Sequence, residues 1–201
     1  MALIQGVKVA LKPLTKQEIP LLYELMHTKN GDIPEWKKWD APYFPYHKPS
    51  FRSFRHQWQS DLDEGNRYLI YTDHQLIGLV TYYWEHQPSN WLEVGIVIYQ
   101  PDFWNGGYGT EAMFLWVDHL FKTKPIVRCG FTTWSGNKRM MRVGEKLGMM
   151  LEARIRKCRL YNGEYYDSIR YGILREEWEE QRHLLKEKLF LNKKEHSMIH
   201  H

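Results

Sequence analysis

Apolar and polar positions alternate from Val7 to Leu14, the pattern of a half-buried strand. Thr15 with Glu18 three residues on is a capping-box signature for a helix running to about His27. From Asn30 to Pro49 regular periodicity stops. Pro34, Trp36, Trp39, Pro42, Pro45 and Pro49 predict an irregular segment that presents large rings, read here as a loop over a pocket. A second helix is expected from Ser50 to about Glu64, ended by Gly65-Asn66. Strands then follow in quick succession: Arg67 to Thr72 and Gln75 to Trp84 around the tight turn Asp73-His74, then Trp91 to Tyr99.

Glycines 106, 107 and 109 separate that last strand from a helix reaching about Lys122, whose inward stripe is Ala112, Met113, Trp116, Val117, Leu120 and Phe121. Val127 to Trp134 is a strand, placed parallel to the previous one by the helical crossover. Asn137 to Leu147 is helical and stops at Gly148, with Met140, Val143, Gly144 and Leu147 facing inward. Leu151 to Tyr161 and Glu164 to Leu174 flank Asn162-Gly163, a strong hairpin signal. A charged helix follows from Arg175 and frays into a polar tail. The order β-α-α-β-β-β-α-β-α-β-β predicts an α+β fold whose sheet is largely antiparallel with one parallel crossover near its middle. No repeat or second domain emerges, so residues 1–201 read as one domain with a core over about 7–180 and a charged tail over 181–201.

Composition narrows the function. A chain of 201 residues with 43% hydrophobic content can bury a true core. Its net charge of +4, from 28 basic and 24 interleaved acidic residues, gives no reason to expect a nucleic-acid partner. No apolar run approaches a membrane span or a signal peptide, and a cytoplasmic location is expected. Cys129 and Cys158, far apart in strand-like runs, read as reduced buried thiols. The ten His residues show no metal spacing, so no metal site is expected.

Gly106, Gly107 and Gly109 leave main-chain N–H groups exposed at a helix N-terminus, a place that attracts phosphate. A P-loop is excluded because no Lys precedes Thr110. Gly107-x-Gly109-x-x-Ala112 satisfies the dinucleotide fingerprint, which leaves an NAD-binding Rossmann oxidoreductase as an alternative. Against it, the next strand ends in Thr132-Thr133-Trp134 with no acidic residue for a ribose, and the loop follows hairpin-connected strands.

The run Val97-Ile98-Tyr99-Gln100-Pro101-Asp102-Phe103-Trp104-Asn105-Gly106-Gly107-Tyr108-Gly109-Thr110-Glu111-Ala112 resembles the acetyl-CoA-binding motif of GNAT N-acetyltransferases, in particular the ribosomal-protein N-terminal acetyltransferase branch. Trp104 stands where the superfamily usually has Arg or Gln, a substitution common in that branch. Asn137, Glu145-Lys146-Leu147-Gly148-Met149, the closing hairpin and Arg175-Glu176-Glu177-Trp178 extend the likeness over about residues 7 to 180. The resemblance implies the GNAT fold, acetyl-CoA as cosubstrate, and a primary amine or protein N-terminus as acceptor. It implies cofactor contacts from Ile98, Tyr99, Trp104, Asn105, Gly106, Gly107, Tyr108, Gly109, Thr110 and Asn137, the last also a plain N-cap candidate. It leaves a homodimer through the closing strands open.

Amine attack on a thioester needs an oxyanion donor, expected from a free N–H near Ile98 or Tyr99, and a group to take the ammonium proton. Glu93, on the same strand, is the expected base, with a structural ion pair as the competing role. The Tyr that many family members use as general acid is replaced by Gly144, so Ser135 or water is expected to serve. Asp32, Glu35 and Asp40 alternate with Trp36, Trp39, Tyr43 and Phe44, a mixture suited to an ammonium group. Glu35, Trp36 and Trp39 are therefore expected to bind the acceptor, with a lid packed onto the core as the competing role of the aromatics, and Asp167 in the last strand is a further candidate that could equally satisfy backbone groups of the hairpin. A non-catalytic acetyl-CoA sensor remains the alternative from another functional class.

Overall fold

The computed structural model describes residues 3–60 and 62–191. The expected fraying beyond Asn192 and the place of Asp61 in the second helix lie outside them. The elements are β1 (Ile4–Gln5), β2 (Ala10–Pro13), α1 (Ile19–Met26), α2 (Phe51–Ser60), β3 (Arg67–Thr72), β4 (Gln75–His86), β5 (Trp91–Ile98), α3 (Tyr108–Thr123), β6 (Arg128–Trp134), α4 (Lys138–Lys146), β7 (Met150–Tyr161), β8 (Glu164–Leu174) and α5 (Arg175–Lys186). The strands form one eight-stranded sheet in the order β1-β2-β3-β4-β5-β6-β8-β7. Every pairing is antiparallel except β5 with β6.

Local chemistry accounts for most boundaries. The strand expected over Val7 to Leu14 is confined to β2, because the N–H groups of Val7, Lys8 and Val9 turn onto the buried Glu111 carboxylate at 2.5, 2.8 and 3.3 Å, and β1 before it was not expected. Glu18 Oε2 accepts the Thr15 N–H at 3.1 Å, one limb of the expected capping box, although the helix begins only at Ile19. Asp73 and His74 have φ of 44° and 66°, and Asn162 and Gly163 of 50° and 79°. Positive φ at both central residues is the signature of the tight turn whose twist suits a hairpin.

Each face of the sheet carries its own core. On one, α3 buries Met113, Phe114, Trp116, Val117 and Leu120 against Tyr68, Leu92, Phe131 and Ile173, and Trp178 of α5 closes the layer. On the other, α1 and α2 bring Ile19, Leu22 and Phe54 onto Leu69, Leu79 and Tyr99, with Trp36 of the Pro-rich loop packed beside them. Arg175 ties the end of α3 to the sheet by donating to the carbonyls of Phe121, Lys124 and Ile126 at 2.8 to 2.9 Å. Cys129 is buried as expected; Cys158 is exposed on edge strand β7, because that strand has no neighbour on its outer side. Among the described residues, no helix is long and apolar enough to cross a membrane.

Candidate active site

The parallel pairing of β5 with β6 runs only from Trp91↔Arg128 to Glu93↔Gly130. Beyond it the strands separate, and a cavity of about 540 Å³ passes between them, lined on one side by Val94 to Ile98 and on the other by Thr132 to Trp134. The register fixes which backbone groups face this gap. Tyr99 donates its N–H to Ile77 C=O at 2.9 Å, so odd-numbered positions of β5 point their backbone groups at β4. Even-numbered positions point the other way, and the Ile98 carbonyl, accepting from Trp104 Nε1 at 2.9 Å, does so. Once β6 has departed, the N–H groups of Ile96 and Ile98 face the cavity without a strand partner.

At the cavity's far end α3 begins. Gly107, at φ 88°, is its N-cap, and Asn105, at φ 62°, makes the preceding turn. Both need the left-handed region, which Gly and Asn tolerate best. Glu111 N–H bonds Gly107 C=O, the first intrahelical bond; among the described residues the N–H groups of Asn105 through Thr110 find no acceptor. The helix start lies against β5: a Cβ at Gly109 would stand in ordinary van der Waals contact with Ile98 and Ile96, at 3.5 and 3.8 Å. Opposite, α4 presents Arg139, Arg142 and Lys146 with Met140 and Val143 to the same space. Arg139 is stacked between Trp39 and Trp104, 4.1 and 4.6 Å from their ring centres, and its Nε donates to Asn105 Oδ1 at 3.3 Å.

Known proteins resemble this chain in sequence and in fold. Residues 8–150 match the family model described as an acetyltransferase (GNAT) domain. The chain belongs to the GNAT acetyltransferase family. It is 25% identical over 140 residues to the SPbeta prophage-derived uncharacterized N-acetyltransferase YokL of Bacillus subtilis, covering 70% of this chain and 78% of that one. Among solved structures it resembles a GNAT-family acetyltransferase from Bacillus anthracis, with TM-score 0.69, 20% identity, and coverage of 88% of this chain and 100% of that one. It likewise resembles RimL, a ribosomal-protein alpha-N-acetyltransferase solved in complex with coenzyme A, with TM-score 0.70, 18% identity, and coverage of 86% and 98%. At these identities the structural likenesses speak to fold.

In this GNAT acetyltransferase, Ile98, Trp104, Asn105, Gly107, Gly109, Thr110, Asn137, Trp36 and Trp39 all line the cavity. Gly106, Tyr108 and Tyr99 do not. The Gly106 carbonyl accepts from Lys8 Nζ at 2.6 Å, and the Tyr108 ring packs edge-on against Phe103. Tyr99, with its N–H committed to Ile77, turns its ring into the second core against Trp36, which leaves Ile96 and Ile98 as the available oxyanion donors. Asn137 uses both ends of its carboxamide: Oδ1 caps α4 by accepting the Met140 N–H, and Nδ2 donates to Trp39 C=O, each at 3.0 Å. Trp134 Nε1 donates to the same carbonyl at 2.9 Å, so the Pro-rich loop is fastened to the far wall of the cavity.

The expected catalytic pair is displaced. Glu93 is only 3% exposed and lies outside the cavity lining. Tyr83 Oη and Thr132 Oγ1 donate to its Oε2 at 2.8 and 2.9 Å, and Arg170 pairs with Oε1 at 3.4 Å. Burial and this bond to Glu93 push the Tyr83 phenol well above its ordinary range. Ser135 lies at the end of β6, where its hydroxyl accepts the Asp167 N–H at 2.9 Å, in a separate depression beyond the Trp39–Trp134 wall. Asp167 is held by the Lys157 N–H and Arg154, and Glu35 by Lys38, both away from the cavity. Gly144 faces the stacked Phe131 and Tyr171, 2.9 and 3.0 Å from where its Cβ would stand, so a large side chain at 144 would enter the core. The basic face of α4 carried no motif that the sequence reading recognised. Helical spacing of 139, 142 and 146 was the available signal. Among the described residues no cluster of His, Cys, Asp or Glu could hold a metal ion.

Proposed function

We propose that this enzyme transfers the acetyl group of acetyl-CoA directly to a primary amine, through a tetrahedral intermediate. The observation that carries the reading is the unpaired N–H edge at Ile96 and Ile98, opening onto the free amides at the start of α3. The amides from Asn105 to Thr110 are suited to the pyrophosphate, helped by the partial positive charge of the helix N-terminus. Arg142 and Lys146 add positive charge at the same end. Pantetheine would extend along Ile96 and Ile98 in the manner of an added strand, with one of their N–H groups aimed at the thioester oxygen, where negative charge develops.

The amine enters from the side of the Pro-rich loop, where Trp36, Trp39 and Tyr43 line the cavity with Leu79, Thr81 and Thr132. Aromatic faces suit an ammonium group. The leaving thiolate needs no dedicated acid, because the nitrogen of the tetrahedral adduct carries protons far more acidic than a thiol. Glu93 then acts by fixing Thr132 in the cavity wall. A protein N-terminus is the favoured acceptor, in keeping with the family branch the motif resembles, and the unpaired thiols suit a reducing cytoplasm. The test is release of CoA thiol from acetyl-CoA across a panel of small amines and N-terminal peptides. Amine-dependent release is expected. Acetyl-CoA binding without release to any acceptor would favour a non-catalytic sensor instead.

A further inference from the structure

Of the three acidic residues in the Pro-rich loop, the fold brings one into the cavity. Asp40 lines it, while Glu35 is exposed and paired with Lys38, and Asp32 stands outside. Asp40 is also the sole carboxylate among the lining residues, which include no His. Its carboxyl oxygens make no hydrogen bond or ion pair among the described residues. Glu93, by contrast, has three partners.

The backbone around Asp40 is held on every side. Its N–H donates to Trp36 C=O at 3.3 Å, and Lys37 Nζ clamps the carbonyls of Asp40 and Ala41 at 2.7 and 3.1 Å. The Trp39 carbonyl just before it is bound by Asn137 and Trp134. A free carboxylate on an immobilised backbone, among Trp36, Trp39 and Tyr43 and across from the open edge of β5, is the arrangement a general base for an incoming ammonium requires. From this geometry we infer that Asp40, and not Glu93, removes the proton from the acceptor ammonium. The inference rests on the acetyl-transfer reading above.

Asp40 remains exposed to solvent through the cavity mouth, while the protein atoms around its carboxyl raise its pKa above the ordinary 3.8, with Lys37 partly opposing the rise. The charged and titratable groups around it are Lys37 on its own segment, Tyr99 just after β5, Tyr43, and Arg139, Arg142 and Lys146 among the cavity-lining residues of α4. Burial first, and then the Asp40 charge, hold Tyr99 as a neutral phenol.

The proton count closes. Asp40 takes one proton from the ammonium and later releases it to solvent. The neutral nitrogen attacks the carbonyl carbon, the C–N bond forms, and the oxygen becomes an oxyanion opposite the β5 amides. On collapse the C–S bond breaks, and the proton shed by the nitrogen goes to the departing thiolate.

The experiment is steady-state kinetics of D40N, D40E and E93Q against the wild type from pH 6 to about 10, with acetyl-CoA affinity measured separately. For D40N we expect acetyl-CoA affinity close to wild type and kcat/KM for the amine reduced by about 100-fold or more near neutrality. The deficit should shrink as pH approaches the amine's own pKa, where free amine no longer needs a base. D40E, which restores the carboxylate, should recover part of the rate, and E93Q, whatever its rate, should show no deficit that shrinks toward high pH. A D40N deficit that stays constant with pH, or a D40N rate within about threefold of wild type, overturns the assignment. If D40N fails to bind acetyl-CoA, D40E decides, since a positioning role predicts no recovery from a longer side chain. Wild-type protein inactive with every amine would instead defeat the transfer reading itself.

Discussion

Replacing Asn137 separates two jobs that one side chain performs. Its Oδ1 caps α4 and its Nδ2 holds the Trp39 carbonyl. Asn137→Ala removes both: about 1 kcal/mol for the lost cap and about 1 kcal/mol for the second hydrogen bond. The total of about 2 kcal/mol corresponds to roughly 4 to 8 °C in Tm for a domain of this size. Asn137→Asp keeps an acceptor for the Met140 N–H, and its negative charge suits a helix N-terminus. It loses the tether and sets a carboxylate oxygen toward Trp39 C=O, which keeps its bond from Trp134 Nε1; with the side chain free to turn away, the loss should be about 1 kcal/mol. Equilibrium unfolding in urea measures both. Because Trp39 anchors the cavity wall proposed to receive the acceptor, both variants should also raise the acceptor KM, by about fivefold if the full tether energy is expressed there. Equal destabilisation by Ala and Asp would refute the capping role, and an acceptor KM unchanged in both would refute the tether.

Two further perturbations probe the loop and the pH dependence. Gly107→Ala forces a Cβ into φ 88°, which should cost roughly 1 to 2 kcal/mol and misdirect the free amides. Stabilisation by acetyl-CoA in a thermal-shift titration should then fall well below wild type, and an undiminished shift would show that the loop amides do not hold the ligand. Glu18 is desolvated, which alone would raise its pKa, but hydrogen bonds from Lys12 and Thr15 outweigh this and hold it below the ordinary 4.5. Its folded carboxyl therefore ionises at lower pH than the unfolded one, so its contribution is present above about pH 4.5 and fades as pH falls through the folded value. Wild type should exceed Glu18→Gln in urea midpoint at pH 7, and the gap should close on acidification.

What could be read from sequence was whatever a short stretch of chain settles alone. Asn162-Gly163 could only be a tight turn, because both residues enter the left-handed region easily. The glycines before α3 announced a helix start with free amides, because nothing local could satisfy them. The parallel crossover followed from the helix joining Trp91–Ile98 to Arg128–Trp134, and the motif pointed to the family from the same stretch.

The chemistry of the carboxylates was not legible in this way. Periodicity showed that Glu93 stands on one face of β5, but its partners, Tyr83, Thr132 and Arg170, come from three other strands. Only their convergence buries the group and removes it from the cavity. Ser135 and Asp167 likewise find each other across β6 and β8. In the Pro-rich loop the sequence offered Asp32, Glu35 and Asp40, and the expectation fell on Glu35, because an irregular segment has no period from which to read a direction. The bonds from Asn137 and Trp134 to Trp39, nearly a hundred residues away, fasten the segment so that Asp40 is the one that lines the cavity. The free edge at Ile96 and Ile98 depends on where β6 leaves β5, a property of two strands together. A residue's type and neighbours fix its local conformation and the chemistry it can do, whereas its access to substrate is fixed by what distant segments pack against it.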